Sequence, residues 1–280
     1  MKKSDKKKRS LLGALPAVPY VVWMVLFIAI PLGMVAFFAL TDPQGQFTLE
    51  NIARGGEHMS VLLRSIKLAT IATILCIIIA YPLAYILSRK QGFQKQTLFV
   101  MVMLPMWMNF LIRTYAWMTI LENNGLLNRL FGLVGLGPFK MINTEGAVVL
   151  GMVYNFLPFM VLPLYTIMMK IDVSVIEAAQ DLGANSVNVF ARIIFPLSMP
   201  GIISGITMVF VPSVSTFIIS KMLGGGANML IGDLIQEQFI GGSYNPQLGS
   251  AMSLILMVVI LLVMSVINRM DDEDKEGMLI

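Results

Sequence analysis

KLATIATILCIIIAYPLAYILSR, residues 67–89, places 21 uncharged residues between Lys67 and Arg89. At 1.5 Å per helical residue such a run covers a hydrocarbon core of about 30 Å, so it reads as a transmembrane helix. The same reading recurs on either side. Uncharged runs of 32, 24, 28 and 31 residues separate Arg9 from Asp42, Glu145 from Lys170, Arg192 from Lys221 and Glu237 from Arg269. A sixth stretch, Thr97 to Leu121, is interrupted once, by Arg113. Lipid offers the backbone no hydrogen-bond partner, and the short alternating segments of a barrel are absent, so the spans must be helices. The predicted fold is an all-α membrane protein with six transmembrane helices. Composition agrees: 57% of the 280 residues are hydrophobic and 13% charged, against roughly 25% charged in soluble domains.

Charge then orients the spans. The N-terminus, the second and fourth loops and the C-terminus carry thirteen Lys and Arg, while the alternate loops carry six, namely Arg54, Arg64, Lys67, Arg129, Lys140 and Lys221. Both termini are therefore expected in the cytoplasm. The chain divides into a basic N-terminal segment (1–13), a membrane domain (14–269) with a long loop at 170–192, and an acidic tail (270–280). The first apolar run is too long for a signal peptide, contains Pro16, Pro19 and Pro31, and reads as an uncleaved helix of a multi-pass protein of the bacterial cytoplasmic membrane. Pro82, Pro105, Pro158, Pro163 and Pro212 are expected to kink their helices. The net charge of +4 is segregated along the chain, which points to topology and membrane lipids as partners and not to nucleic acid.

Several function classes drop out. One Cys and one His exclude a disulfide framework and a Cys/His metal site; Cys76 reads as a packing residue and His58 as a loop residue. No Gly-Lys pair exists, so the chain lacks the phosphate-cradling loop of an ATPase, and H-E-x-x-H, G-x-S-x-G and G-x-G-x-x-G are missing too. Gly224, Gly225 and Gly226 read as a flexible turn. The chain is not expected to be an enzyme. No acidic residue or His lies in the spans, as ion-coupled transport would require. The driving energy must come from a partner chain or from the solute's own gradient.

The loop Lys170–Arg192 is patterned as a short helix. Ser174 and Glu177 form a capping-box pair, and Gly183 is its C-terminal stop. Val175, Ala179 and Leu182 make an apolar stripe that fits a groove in a partner or the membrane surface. The order Glu177, Ala178, Ala179, then Gly183, then Ile193, Phe195 and Pro196 resembles the EAA motif of ABC importer permeases, with Phe195 where that family has Leu. The resemblance implies a type I importer permease fold. It also makes Glu177, Ala178, Ala179, Asp181 and Gly183 a coupling helix that docks into a cytoplasmic ATPase. Leu104–Trp117, Leu157–Tyr165 and Met222–Ile235 resemble permease subunits of spermidine/putrescine importers. Such systems pair a second permease subunit with two copies of an ABC ATPase, which binds the ATP and Mg, and with an extracytoplasmic substrate-binding protein. No cofactor is expected in this chain.

Inside the spans, Asn109, Arg113 and Trp117 recur at four-residue spacing and are expected on one helix face. A charge in lipid is costly enough that Arg113 should serve as a gate or be held by carbonyls or by an acid such as Glu122 or Asp233. Tyr154, Trp107 and Tyr165 are candidate path aromatics, and Ser213, Ser215 and Thr216 a candidate polar lining. Gly201 and Gly205 form a small-residue motif that suits close helix packing. An anion or ferric-ion permease, in which Arg113 would touch the solute, and a passive channel are the competing readings.

Overall fold

The computed structural model describes residues 18–226 and 228–277, with side chains through Arg269. The basic segment 1–13 lies outside the described residues, as do the side chains of the acidic tail. The helices are α1 (Val18–Ala39), α2 (Glu50–Gly56), α3 (Met59–Arg89), α4 (Gly92–Trp107), α5 (Phe110–Leu121), α6 (Leu126–Leu133), α7 (Glu145–Met168), α8 (Val173–Asp181), α9 (Ser186–Ser215), α10 (Ile218–Leu223), α11 (Ile231–Ile240) and α12 (Pro246–Gly277). Extended pairing among the described residues is limited to a bridge between Thr41 and Phe47.

Five helices, α1, α3, α7, α9 and α12, are long and apolar enough to cross a membrane, and a sixth span exists if the bent α4 and α5–α6 segments count as one. The sixth departs from the single helix expected over Thr97–Leu121. It breaks at Met108 and Asn109 with a 90° bend. Pro105 removes a ladder N–H near the end of α4, and Asn109 starts a new helix by accepting from the N–H groups of Leu111 and Ile112 at 2.9 and 3.2 Å. The proline near the end of α4 and the Asn109 cap together account for the break.

Two helices contain a π turn ahead of a proline. Ile30 donates to the Val25 carbonyl before Pro31, and Phe195 donates to the Phe190 carbonyl before Pro196. The wider turn accommodates the missing proline N–H without leaving the helix.

The described residues form two compact units, one of residues 18–57 and 237–257, the other of 58–226, 228–236 and 258–277. In the first, the absent side chain of Gly55 lets α2 approach Met252 and Ile255 of α12, while α1 has almost no buried surface and is apolar all round, as a lipid-facing helix is. The second is organised on α3, α7 and α9. Its core runs through Leu68, Cys76 and Ala80 of α3, Met152, Met160 and Leu164 of α7, and Ile202 and Val209 of α9. Gly201 and Gly205 sit where α9 meets α7: a Cβ at Gly201 would lie 3.2 Å from Ile167 and the Pro163 carbonyl, and one at Gly205 would meet the Met160 sulfur. The motif is a packing contact, as expected. Without a hydrophobic gradient between lipid and core, such close approach is what holds membrane helices together.

Candidate functional site

The helix α8 occupies the loop between the fourth and fifth spans. Its cap differs from the expected capping box. Asp172 is the N-cap, its carboxylate accepting from the Ser174 N–H at 3.0 Å, so the helix begins at Val173 and Ser174 lies inside it. That N–H, then the Ser174 hydroxyl, holds the Asp172 carboxyl below the usual carboxylate range. Aspartate wins because it combines an acceptor with a negative charge at the positive end of the helix.

The C-terminal stop is as expected. Gly183 has φ +85°, its N–H donates to Gln180 and the Ala184 N–H donates to Ala179, a Schellman closure whose left-handed residue favours glycine. The apolar stripe is split. Ile176 is buried with Ile171, Val189 and Ile194, and Ala179 and Ala184 pack against them, whereas Val175 and Leu182 face outward, Leu182 being 90% exposed. Ala179 therefore belongs to the seat of the helix, while Glu177, Ala178, Asp181 and Leu182 are exposed.

The seat reveals residues that the sequence reading left aside. Tyr81, Tyr85 and Arg89 recur at four-residue spacing along the last turns of α3. Tyr81 shares a 2.8 Å hydrogen bond with Ser198 and meets the rings of Phe190 and Phe195 with centroids 5.4 and 6.1 Å away. Tyr85 packs on the small core beneath α8. The Arg89 guanidinium lies 5.4 Å from the Tyr85 ring centre and donates to the Ile171 carbonyl at 3.4 Å, just ahead of α8. Their signal in the sequence is the four-residue spacing, which puts all three on one helix face.

Arg113 is buried on α5 with its guanidinium 6.0 Å from the ring centres of both Phe110 and Tyr154. Tyr154 stands edge-on to Trp117 at 5.4 Å. The structure thus joins Arg113, Trp117 and Tyr154, but not Asn109, which caps α5 from outside the helix. The expectation that Glu122, Asp233 or carbonyls hold Arg113 is not met. Its Nε and Nη1 have no hydrogen-bond partner among the described residues, Asp233 accepts from the Leu230 N–H instead, and Glu122 is exposed beyond the end of α5. Aromatic faces supply what electrostatic compensation is seen, each within the roughly 6 Å range of cation–π attraction.

Ser213 is fully buried and bonds back to the Val209 carbonyl, and Ser215 bonds back to Val211, the common fate of hydroxyls in apolar helices. Thr216 ends the helix as its C-cap. Cys76 is fully buried, as its apolar surroundings implied. The triple-glycine turn is more tightly built than a flexible link: Gly225, at φ +61°, packs its bare Cα against the Asn143 side chain.

Residues 77–273 match the family model of the binding-protein-dependent transport system inner membrane component. The chain is 38% identical over 257 residues to the spermidine/putrescine transport system permease protein PotB of Haemophilus influenzae, covering 88% of this chain and 90% of the relative. It is 38% identical over 262 residues to PotB of Escherichia coli, covering 90% and 95%. The inner membrane ABC transporter permease protein YdcU of Escherichia coli is 28% identical over 241 residues, covering 80% and 76%. Among solved structures, a chain of a bacterial ABC transporter importing alginate superimposes with TM-score 0.75 at 17% identity, covering 96% of this chain and 98% of that one. The MetNI methionine ABC transporter gives 0.59 at 15%, covering 77% and 95%. With its membrane helices, its broken third span and its match over most of its length, the chain belongs to the family of inner membrane components of binding-protein-dependent ABC transport systems.

Proposed function

We propose that this chain is the permease subunit of an ATP-driven polyamine importer, forming half of the pathway for spermidine or putrescine. The observation that carries the substrate is the 38% identity to spermidine/putrescine permeases over about nine-tenths of both chains. A second permease completes the pathway, two copies of an ABC ATPase bind the ATP and Mg, and an extracytoplasmic protein delivers the solute. Both termini and α8 face the cytoplasm, where the Lys and Arg excess lies.

In this reading α8 is the coupling helix. The exposed Glu177, Ala178, Asp181 and Leu182 enter the ATPase cleft, while Gly183 closes the helix. Ile176, Tyr85 and Arg89 tie it to α3, so closure of the ATPase pair moves α3 and α9 as a body and switches access, a rigid-body transmission of a two-state change. Arg113 serves as a gate residue over its aromatic platform.

The complex should be purified with its natural partners and its ATP hydrolysis measured with binding protein loaded with spermidine or putrescine. Stimulation by either polyamine supports the reading; an ATPase that co-purifies but ignores both overturns the substrate. The buried cation of Arg113 favours one rival, an anionic solute. Stimulation by an anion-loaded binding protein, abolished in Arg113→Gln, would establish it.

A further inference from the structure

We propose that a cavity beyond the C-terminal end of α5 receives an ammonium group of the transported cation, an inference that rests on the polyamine reading above and assigns that substrate a place of contact. The cavity, of about 340 Å³, is walled by Met118, Glu122, Asn123, Asn124, Ile142, Asn143 and Met222. At about 30 Å³ per water it holds roughly ten water molecules, enough for an aliphatic amine and part of its hydration.

Its chemistry selects a ligand class. Glu122 is the one ionisable group in the lining, and no Lys or Arg accompanies it. An anion would meet the carboxylate, and no cluster of three metal-ligating groups occurs among the described residues. A primary ammonium fits. Its N–H groups can donate to the Glu122 carboxylate and to the amide oxygens of Asn124 and Asn143, while its methylenes lie on Met118, Met222 and Ile142.

The walls are built in advance. The Glu122 carbonyl accepts from Gly125 at 2.8 Å and from Asn128 at 3.2 Å. Buried Asn128 also exchanges two hydrogen bonds with the Phe139 backbone. A Cβ at Gly125 would lie 2.6 Å from the Thr119 and Ile120 carbonyls, so the turn needs its glycine. On the other wall Asn143, at φ +63°, donates its N–H to Leu223 at 2.9 Å and accepts from Asn228 at 3.1 Å. A rigid rim lowers the entropy cost of capturing a flexible chain. By the charge tally this rim faces outside, where a binding protein releases its cargo.

The test uses the assembled importer in right-side-out membrane vesicles, with Asn123→Cys labelled by an impermeant maleimide; buried Cys76 supplies little background. Spermidine should slow labelling about tenfold, the scale of one charge-assisted hydrogen bond. A diamine should protect and a diol of equal length should not. Adding Glu122→Gln should remove the protection, and Glu122→Asp should restore part of it. Labelling rates indifferent to spermidine, equal protection in the Gln variant, or equal protection by magnesium ions would overturn the proposal. Uptake by the parent complex is measured alongside: uptake without protection removes the cavity alone, whereas absence of polyamine uptake removes the reading on which it rests.

Discussion

Tyr81 and Ser198 stand 117 positions apart in sequence and share a 2.8 Å hydrogen bond between their hydroxyls, joining the third-last turn of α3 to the middle of α9. With its proton donated to the Phe195 carbonyl, Ser198 accepts from the Tyr81 hydroxyl, so the pair forms a short buried relay beside the π turn. Tyr81→Phe removes the hydroxyl but keeps the ring. Its expected cost is about 0.5–1.5 kcal/mol. Tyr81→Ala also removes the contacts with Phe190 and Phe195 and should cost about 3–5 kcal/mol, the range for an aromatic truncated in a packed site. Thermal unfolding in one detergent, compared across the three proteins, checks the order.

Arg89 should affect coupling more than assembly. Arg89→Met keeps the stem on Tyr85 but removes the donor to Ile171, and transport per ATP hydrolysed should fall by about tenfold while the ATPase still co-purifies. Arg89→Lys keeps one donor and should recover part of the loss, although Lys cannot reproduce a planar, stacked guanidinium. Wild-type transport per ATP in the Met variant would remove Arg89 from the transmission.

Gly183 separates backbone strain from steric clash, because a Cβ there meets nothing within 4 Å. Only the left-handed φ of +85° penalises a side chain. Substitutions should therefore rank Gly above Asn, Asn above Ala and Ala above Val in transport, with Gly→Ala costing about 1 kcal/mol locally. Membrane levels should stay unchanged. A flat series in an uptake assay would show that the closure of α8 does not matter to function.

The Asp172 cap makes the start of α8 sensitive to acid. Its folded carboxyl sits below the ordinary range because the charged form is hydrogen-bonded by Ser174. The stabilisation is thus complete above the unfolded value of about 4 and lost as pH falls through the lower folded value. Hydrogen exchange at Ser174 and Val175, corrected for intrinsic rates, should lose protection over that acid window. Asp172→Asn, which caps without titrating, should show no such step.

Gly201 and Gly205 distinguish rigid neighbours from yielding ones. Gly201→Ala drives a methyl to 3.2 Å from the Pro163 carbonyl and Ile167 and should cost about 1–3 kcal/mol by overpacking. Gly205→Ala meets only the end of the Met160 side chain closely, which can swing aside, and should cost less. The difference in unfolding temperature between the two variants reads it directly.

Much of this protein was legible in its residues because lipid makes composition decisive: a run such as Lys67–Arg89 has few folded options other than a spanning helix. The same locality made Gly183 readable as a helix stop, and Gly201 with Gly205 as a contact. Caps were less legible. Asp172 and Ser174 are both competent N-caps two positions apart, and the choice depends on how the chain leaves α7. The motif Glu177-Ala178-Ala179 marked the helix but not which of its faces is free; Ile176 and Ala179 turn inward only because Ile171, Val189, Ile194 and Tyr85 wait there.

What the sequence determined alone is the helical class, the spans, their expected orientation and the exposed loop helix, all set by hydrogen-bond satisfaction and charge cost along a single segment. Tertiary structure decided everything that needs two segments to meet. It put Arg113 over Tyr154 instead of beside an acid, drew Asn109 out of the helix as a cap, buried Ser213, and set Arg89 under α8. The physical reason is that short-range forces between side chains act across space, so a residue's partners are fixed by which helix faces pack together, and periodicity within one helix cannot say which of its faces will be covered.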